Sequence, residues 1–101
     1  LKNKKKGGVY VPRESNTILV GTKPAMSYVL AVVTHFNSAD VKEVTLKARG
    51  RAITTAIDTA EIVRRKFLKE LKPTNIAIGT DEIIQGDSTK NVSTIEINMK
   101  R

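Results

Sequence analysis

The chain has 101 residues, 40% of them apolar, which suits one compact domain and leaves no room for a second core. Eighteen Lys and Arg stand against ten Asp and Glu, a formal net charge of +8, so the partners to consider are DNA, RNA or an anionic membrane surface. The absence of cysteine excludes disulfides, thiolate metal sites and a Cys nucleophile.

No apolar run approaches the roughly 18 to 20 residues that a bilayer span requires. Lys4-Lys5-Lys6 is followed by Gly7-Gly8 and not by an apolar signal core. A soluble, intracellular protein with no membrane partner is the simplest expectation, and Leu at position 1 suggests that the natural start is missing or processed. Residues 1 to 14 carry five basic side chains and one acid. Such a stretch buries too little apolar surface to fold alone, so residues 1–15 are expected to be a flexible basic tail and 16–101 the folded domain. Half of the surplus positive charge then belongs to the folded body.

Thr17-Ile18-Leu19-Val20, closed by Gly21, reads as a short buried strand. Pro24 suits the first turn of a helix, where its missing N–H costs nothing. Met26, Val29, Leu30 and Val33 fall at helical spacing, and Val32 and Phe36 widen the stripe, so this helix is expected to be buried over most of its circumference. Asn37-Ser38-Ala39-Asp40 is expected to be the loop that ends it. From Val41 to Ala48 the pattern alternates, with Val44, Leu46 and Ala48 on one face and Glu43, Thr45 and Lys47 on the other.

Arg49-Gly50-Arg51 breaks that strand. A second helix follows, with Ile53, Ala56, Ile57, Ala60, Val63 and Phe67 on its inner side and Asp58, Glu61 and Arg65 outside. Glu61 and Arg65 are spaced as an i, i+4 ion pair. Arg64, Arg65 and Lys66 sit near its C-terminal end, where the helix dipole favours cations. Pro73 ends the region. Asn75 to Ile84 and Val92 to Lys100 read as two further strands around a polar hairpin loop, residues 85–91. The order is βαβαββ, a two-layer α/β (α+β) fold.

Catalytic chemistry finds little support. The single histidine, His35, lies at the end of an apolar helix, where a structural role is commoner than general-base work. No metal-ligand cluster, nucleophile elbow or zincin motif occurs, so neither an enzyme nor a cofactor is expected. Gly21-Thr22-Lys23 lacks the second glycine and the Lys-Ser/Thr ending of a nucleotide-binding loop. The Asn91-Val92-Ser93 sequon carries no weight without a secretory signal.

The same loop suggests a different role. The residue before a proline is pushed out of the helical region, so Lys23 sits at the cap of the first helix, where backbone N–H groups and the positive dipole end attract phosphate. Lys47, Arg49 and Arg51 surround the start of the second helix, and Gly50 permits close backbone approach. With right-handed crossovers both helices begin at one sheet edge, which would gather Lys23, Lys47, Arg49 and Arg51 into a platform for backbone phosphates. With two Tyr, two Phe and no Trp, backbone contacts are favoured over base stacking. Gln85, Lys90 and Asn91, on the hairpin, could reach a groove.

Gly21-Thr22-Lys23-Pro24-Ala25-Met26-Ser27-Tyr28-Val29-Leu30 resembles the first-helix motif of the Alba proteins of archaeal chromatin, and Lys47-Ala48-Arg49-Gly50-Arg51-Ala52-Ile53 resembles their second motif. Asp58 to Leu68 and Ser93-Thr94-Ile95-Glu96-Ile97 continue the similarity over roughly residues 16 to 100. The resemblance implies a mixed four-stranded sheet with two helices. It also implies a homodimer, or a heterodimer with a paralogue, that binds double-stranded DNA, and often RNA, with little sequence preference. Thr22 stands where the family has the first lysine of a pair, and Lys23 matches the second. Acetylation within that pair weakens DNA binding in the family, so Lys23 is the candidate for an acetylase and deacetylase. Phe67 matches an aromatic that packs dimers side by side along DNA, and the arms around residues 84 to 92 are implied to follow the minor groove.

The leading expectation is therefore a non-enzymatic architectural protein of the cytoplasmic nucleoid that coats and condenses DNA. Its contacts would come from Thr22, Lys23, Lys47, Arg49, Gly50 and Arg51, with Gln85, Lys90 and Asn91 peripheral. An RNA-binding role in a ribonucleoprotein or in messenger-RNA handling is the alternative.

Overall fold

The computed structural model describes residues 16–37 and 41–101 in full and residues 3–6 and 9–12 as backbone. Strands β1 (Asn3–Lys6) and β2 (Val9–Pro12) pair antiparallel, with Asn3 opposite Pro12 and Lys6 opposite Val9. The stretch expected to be a flexible tail thus contains a two-stranded ribbon, which sequence reasoning did not anticipate.

Strand β3 (Thr17–Leu19) leads to helix α1 (Ala25–Asn37), strand β4 (Glu43–Arg49) and helix α2 (Ala52–Ile62). A π-helical turn, Val63–Phe67, prolongs α2 before β5 (Lys72–Gln85) and β6 (Ser88–Lys100). The sheet order is β3-β4-β6-β5. β3 and β4 are parallel and the other neighbours antiparallel, so the sheet is mixed. This is the expected βαβαββ two-layer α+β fold.

Alternation decides which sheet face receives the helices. On β4, Val44, Leu46 and Ala48 are buried; on β6, Ile95, Ile97 and Met99 are, and the register sets Leu46 opposite Ile97. Ile18, Val29, Val32, Val63 and Leu71 complete that core from β3, the helices and the loop after α2. Thr45 and Asn98 share the opposite, polar face, joined by a 2.8 Å hydrogen bond from Asn98 Nδ2 to Thr45 Oγ1.

Several expectations need correction. On α1 the buried face is Tyr28, Val29, Ala31, Val32, His35 and Phe36, whereas Met26 and Leu30 are more than half exposed. Apolar residues occupy nearly every angle of this helix, so spacing alone could not select the inner face. His35 is buried, with Nε2 3.1 Å from Asn16 Oδ1, tying α1 to the start of β3. On α2, Ile57 and Phe67 are exposed and Thr59 is buried, its hydroxyl satisfied by the Thr55 carbonyl at 2.7 Å. Glu61 pairs with Arg64 and not with Arg65.

Pro73 does not stop the chain before a strand; it lies inside β5, beside a register shift between Pro73 and Asn75. β5 is a sheet edge, where a missing N–H is tolerated. The strands also run through the expected hairpin loop and leave only Gly86 and Asp87 as the turn, with Gly86 at φ +58. Asn37 is helical, and 38–40, the rest of the loop expected after it, lie outside the described residues.

Candidate nucleic-acid interface

The parallel pair β3 and β4 delivers the chain to both helices at one end of the sheet. The Val20 N–H donates to the Lys47 carbonyl at 2.8 Å, which fixes the exit of β3 beside the exit of β4. Gly50 then turns the chain with φ +57, a left-handed conformation that side chains disfavour. An added Cβ would also lie 3.4 Å from Val92 Cγ1. Arg51 occupies the N-cap of α2, where its donor-only guanidinium makes no capping hydrogen bond.

Two open hollows meet at this end. One, of about 520 Å³, is lined by Gly21, Thr22, Arg49, Arg51 and Thr55. The other, of about 400 Å³, is lined by Leu19, Lys47, Arg49, Asp81 and Glu96. Arg49 belongs to both. The structure therefore brings Thr22, Lys47, Arg49, Gly50 and Arg51 together, with Lys23 on the loop that enters α1.

That loop departs from expectation in one respect. The Tyr28 hydroxyl accepts the Gly21 N–H at 2.8 Å and the Lys23 N–H at 3.1 Å. Two backbone donors expected to be open to a phosphate are already engaged. The phenol instead shapes the loop from beneath, leaving charge and the helix end to attract an anion.

Carboxylates were the larger omission. Lys47 Nζ lies 4.0 Å from Glu96 Oε1, and Arg49 Nη1 lies 4.0 Å from Asp81 Oδ2. All four side chains are about half exposed, so each pair contributes little stability and can open. Sequence alternation placed Glu96 on an outer face. Only the register, Lys47 opposite Glu96, shows which cation it meets.

Beyond the last β4 pairing, Arg49 with Thr94, β5 and β6 pair only with each other up to Gln85 and Ser88. This ribbon projects past the body by on the order of 20 Å, at about 3.3 Å per residue. Gln85, Lys90 and Asn91 are exposed on it, apart from the two hollows. Phe67, about half exposed, sits at the far end of α2. Among the described residues no group of three metal-ligating side chains occurs, and no helix is long and apolar enough to cross a membrane.

The model of the Alba family matches residues 16–80. The chain is 55% identical over 89 residues to the DNA/RNA-binding protein Alba of Methanocella arvoryzae, covering 87% of this chain and 92% of that protein. It is 54% identical over 82 residues to the DNA/RNA-binding protein Alba 1 of Archaeoglobus fulgidus, covering 81% and 91%. Among solved structures, Alba from Thermoplasma volcanium superposes with a TM-score of 0.79 at 45% identity, over 84% of this chain and 99% of that one. ALBA1 from Trypanosoma brucei shares the fold, with a TM-score of 0.69 at 22% identity, over 85% of this chain and 68% of that one.

Proposed function

The chain belongs to the Alba family, and we propose that it binds double-stranded DNA with little sequence preference, coating and compacting it as a homodimer. The relatives named above are DNA/RNA-binding proteins, which supports nucleic acid as the ligand. The observation that carries the reading is the gathering of Thr22, Arg49 and Arg51 around one hollow where two helices begin. Lys23 and Lys47 flank it. Helix N-termini and fixed cations recognise phosphates, which every sequence presents. Gln85, Lys90 and Asn91 on the projecting ribbon extend the contact into a groove, and residues 1–15 add basic charge.

The dimer rests on a separate observation. Ile76 and Ile78 lie opposite the buried Ile97 and Ile95, on the helix side of the sheet, yet are 59% and 84% exposed. α2 packs over β4 and β6 and leaves this part of β5 uncovered. A second copy, or a paralogue, would cover it. Phe67 is the candidate contact between dimers along the duplex. Lys23 is the candidate acetylation site, since loss of its charge would weaken phosphate binding. Residence on the chromosome, within the nucleoid, follows from the same reading.

Binding to RNA is the second reading, favoured by the same relatives' names. Titration of unrelated duplex DNAs, duplex RNA and single strands at matched salt distinguishes them. The proposal expects similar affinities among DNA sequences and a fall of about 10³ to 10⁵ between roughly 50 and 200 mM salt if about 6 to 10 phosphates are contacted. Salt-insensitive or sequence-selective binding would overturn it. A clear preference for RNA would make the alternative the primary function.

A further inference from the structure

At the edge just described, Lys47 and Arg49 each have a carboxylate at 4.0 Å, Glu96 and Asp81. A second group of cations lies at the other end of the sheet. Glu43, the first residue of β4, stands opposite Lys100, and Lys72 stands opposite Lys100 from the other side. The Arg101 N–H donates to the Lys42 carbonyl at 3.0 Å. The chain leaving α2 is folded back by Leu68 N–H to Val63 O and Leu71 N–H to Leu68 O, at 2.8 and 3.0 Å, which brings the helix end to the same place.

Three cations of this end are matched by carboxylates within it. Arg64 is bound by Glu61, which holds that carboxyl below its usual range, chiefly through their hydrogen bond. Lys100 is 3.5 Å from Glu43, and Arg101 is 3.5 Å from Glu70. Lys42, Arg65, Lys66, Lys69 and Lys72 are all exposed and form no ion pair among the described residues. A helix C-terminus presents about half a negative charge, so one cation would satisfy it. Five unmatched cations exceed that need severalfold.

We propose that this surface, at the C-terminal end of α2, is a second phosphate-binding face that holds a separate segment of nucleic acid. It lies about 20 Å from the Arg49 end, judged by the length of β4. The two faces stand at opposite ends of β4, so a duplex held across one end leaves the other end free for a second segment. A single assembly would then join two segments. The inference rests on the proposed nucleic-acid binding, and charge complementarity favours a polyanion over any apolar partner.

Beads carrying one duplex, incubated with the full chain and a labelled second duplex, measure joining; a short free duplex measures single-segment affinity. Lys66→Gln, Lys69→Gln and Lys72→Gln together should cut retention of the second duplex at least about fivefold and change short-duplex affinity less than about twofold, since the phosphates these lysines neutralise belong to the second segment. Unchanged retention would overturn the inference, as would equal losses in both measurements, which would make the face part of the primary contact. Wild-type protein that binds one duplex but retains no second would sink this inference and leave the proposed function standing. Failure to bind any duplex would sink the proposed function itself. If the triple variant loses only binding to anionic phospholipid vesicles, the face serves a membrane surface and the inference is wrong. Arg65→Glu with Lys69→Glu, both exposed, gives an independent variant with the same expected outcome.

Discussion

Tyr28 supports the loop before α1 by accepting two backbone N–H groups on one hydroxyl. Removing only that oxygen leaves both donors short of a partner in a partly buried site. Tyr28→Phe should therefore cost about 1–2 kcal/mol, read from a denaturant midpoint. A value near zero would mean that water replaces the phenol. Glu96 acts in the opposite sense, since it holds Lys47 and repels phosphate. Glu96→Gln should leave stability nearly unchanged and tighten duplex binding about two- to threefold, measured by titration, consistent with the small worth of exposed pairs. Weaker binding would show that Glu96 orients Lys47. The cations Lys23, Arg49 and Arg51 were legible because each borders a helix start, a local feature. Their carboxylate neighbours were not, because Asp81 and Glu96 meet Arg49 and Lys47 only across strands.

Among the elements, the strand-to-helix joint at Gly50 combines a backbone demand with a steric one. Gly50→Ala must hold φ near +57 and set a methyl 3.4 Å from Val92 Cγ1. A loss of about 1–2 kcal/mol is expected, together with weaker binding as Arg49 and Arg51 lose their relative position. Thermal unfolding and duplex titration of the same variant check both halves. Strands β4 and β6 could be read from alternation because one face is core and the other polar. Helix α1 existed plainly in the sequence, but its inner face did not, for Met26, Leu30 and Val33 are as apolar as Val29, Val32 and Phe36. The outer part of the ribbon, Gln85 and Ser88 to Asn91, was hidden for a related reason. Polar residues such as Gln85, Ser88 and Thr89 look like loop, yet cross-strand hydrogen bonds depend on backbone and not on side-chain polarity.

At the scale of the whole molecule, charge and apolar surface are distributed unevenly. Cations crowd two ends of the sheet, and the exposed apolar stretch of β5 lies on the helix side of the sheet where α2 does not cover it. Composition revealed the total charge but not its division, because Lys72 and Lys100 meet only in the folded chain. Ile76→Glu with Ile78→Glu should convert the proposed dimer to a monomer in sedimentation equilibrium without unfolding the chain, since both side chains are exposed within it. A variant that remains dimeric would place the dimer contact elsewhere.

The cradle between the two helix starts is tested most directly by its salt dependence. Plots of log affinity against log salt for wild-type protein and for Arg49→Ala with Arg51→Ala, on two unrelated duplexes, should differ in slope by about 0.9 for each phosphate that the variant no longer neutralises, equally on both sequences. Parallel plots of unchanged slope would show that these arginines touch no phosphate and would contradict the account.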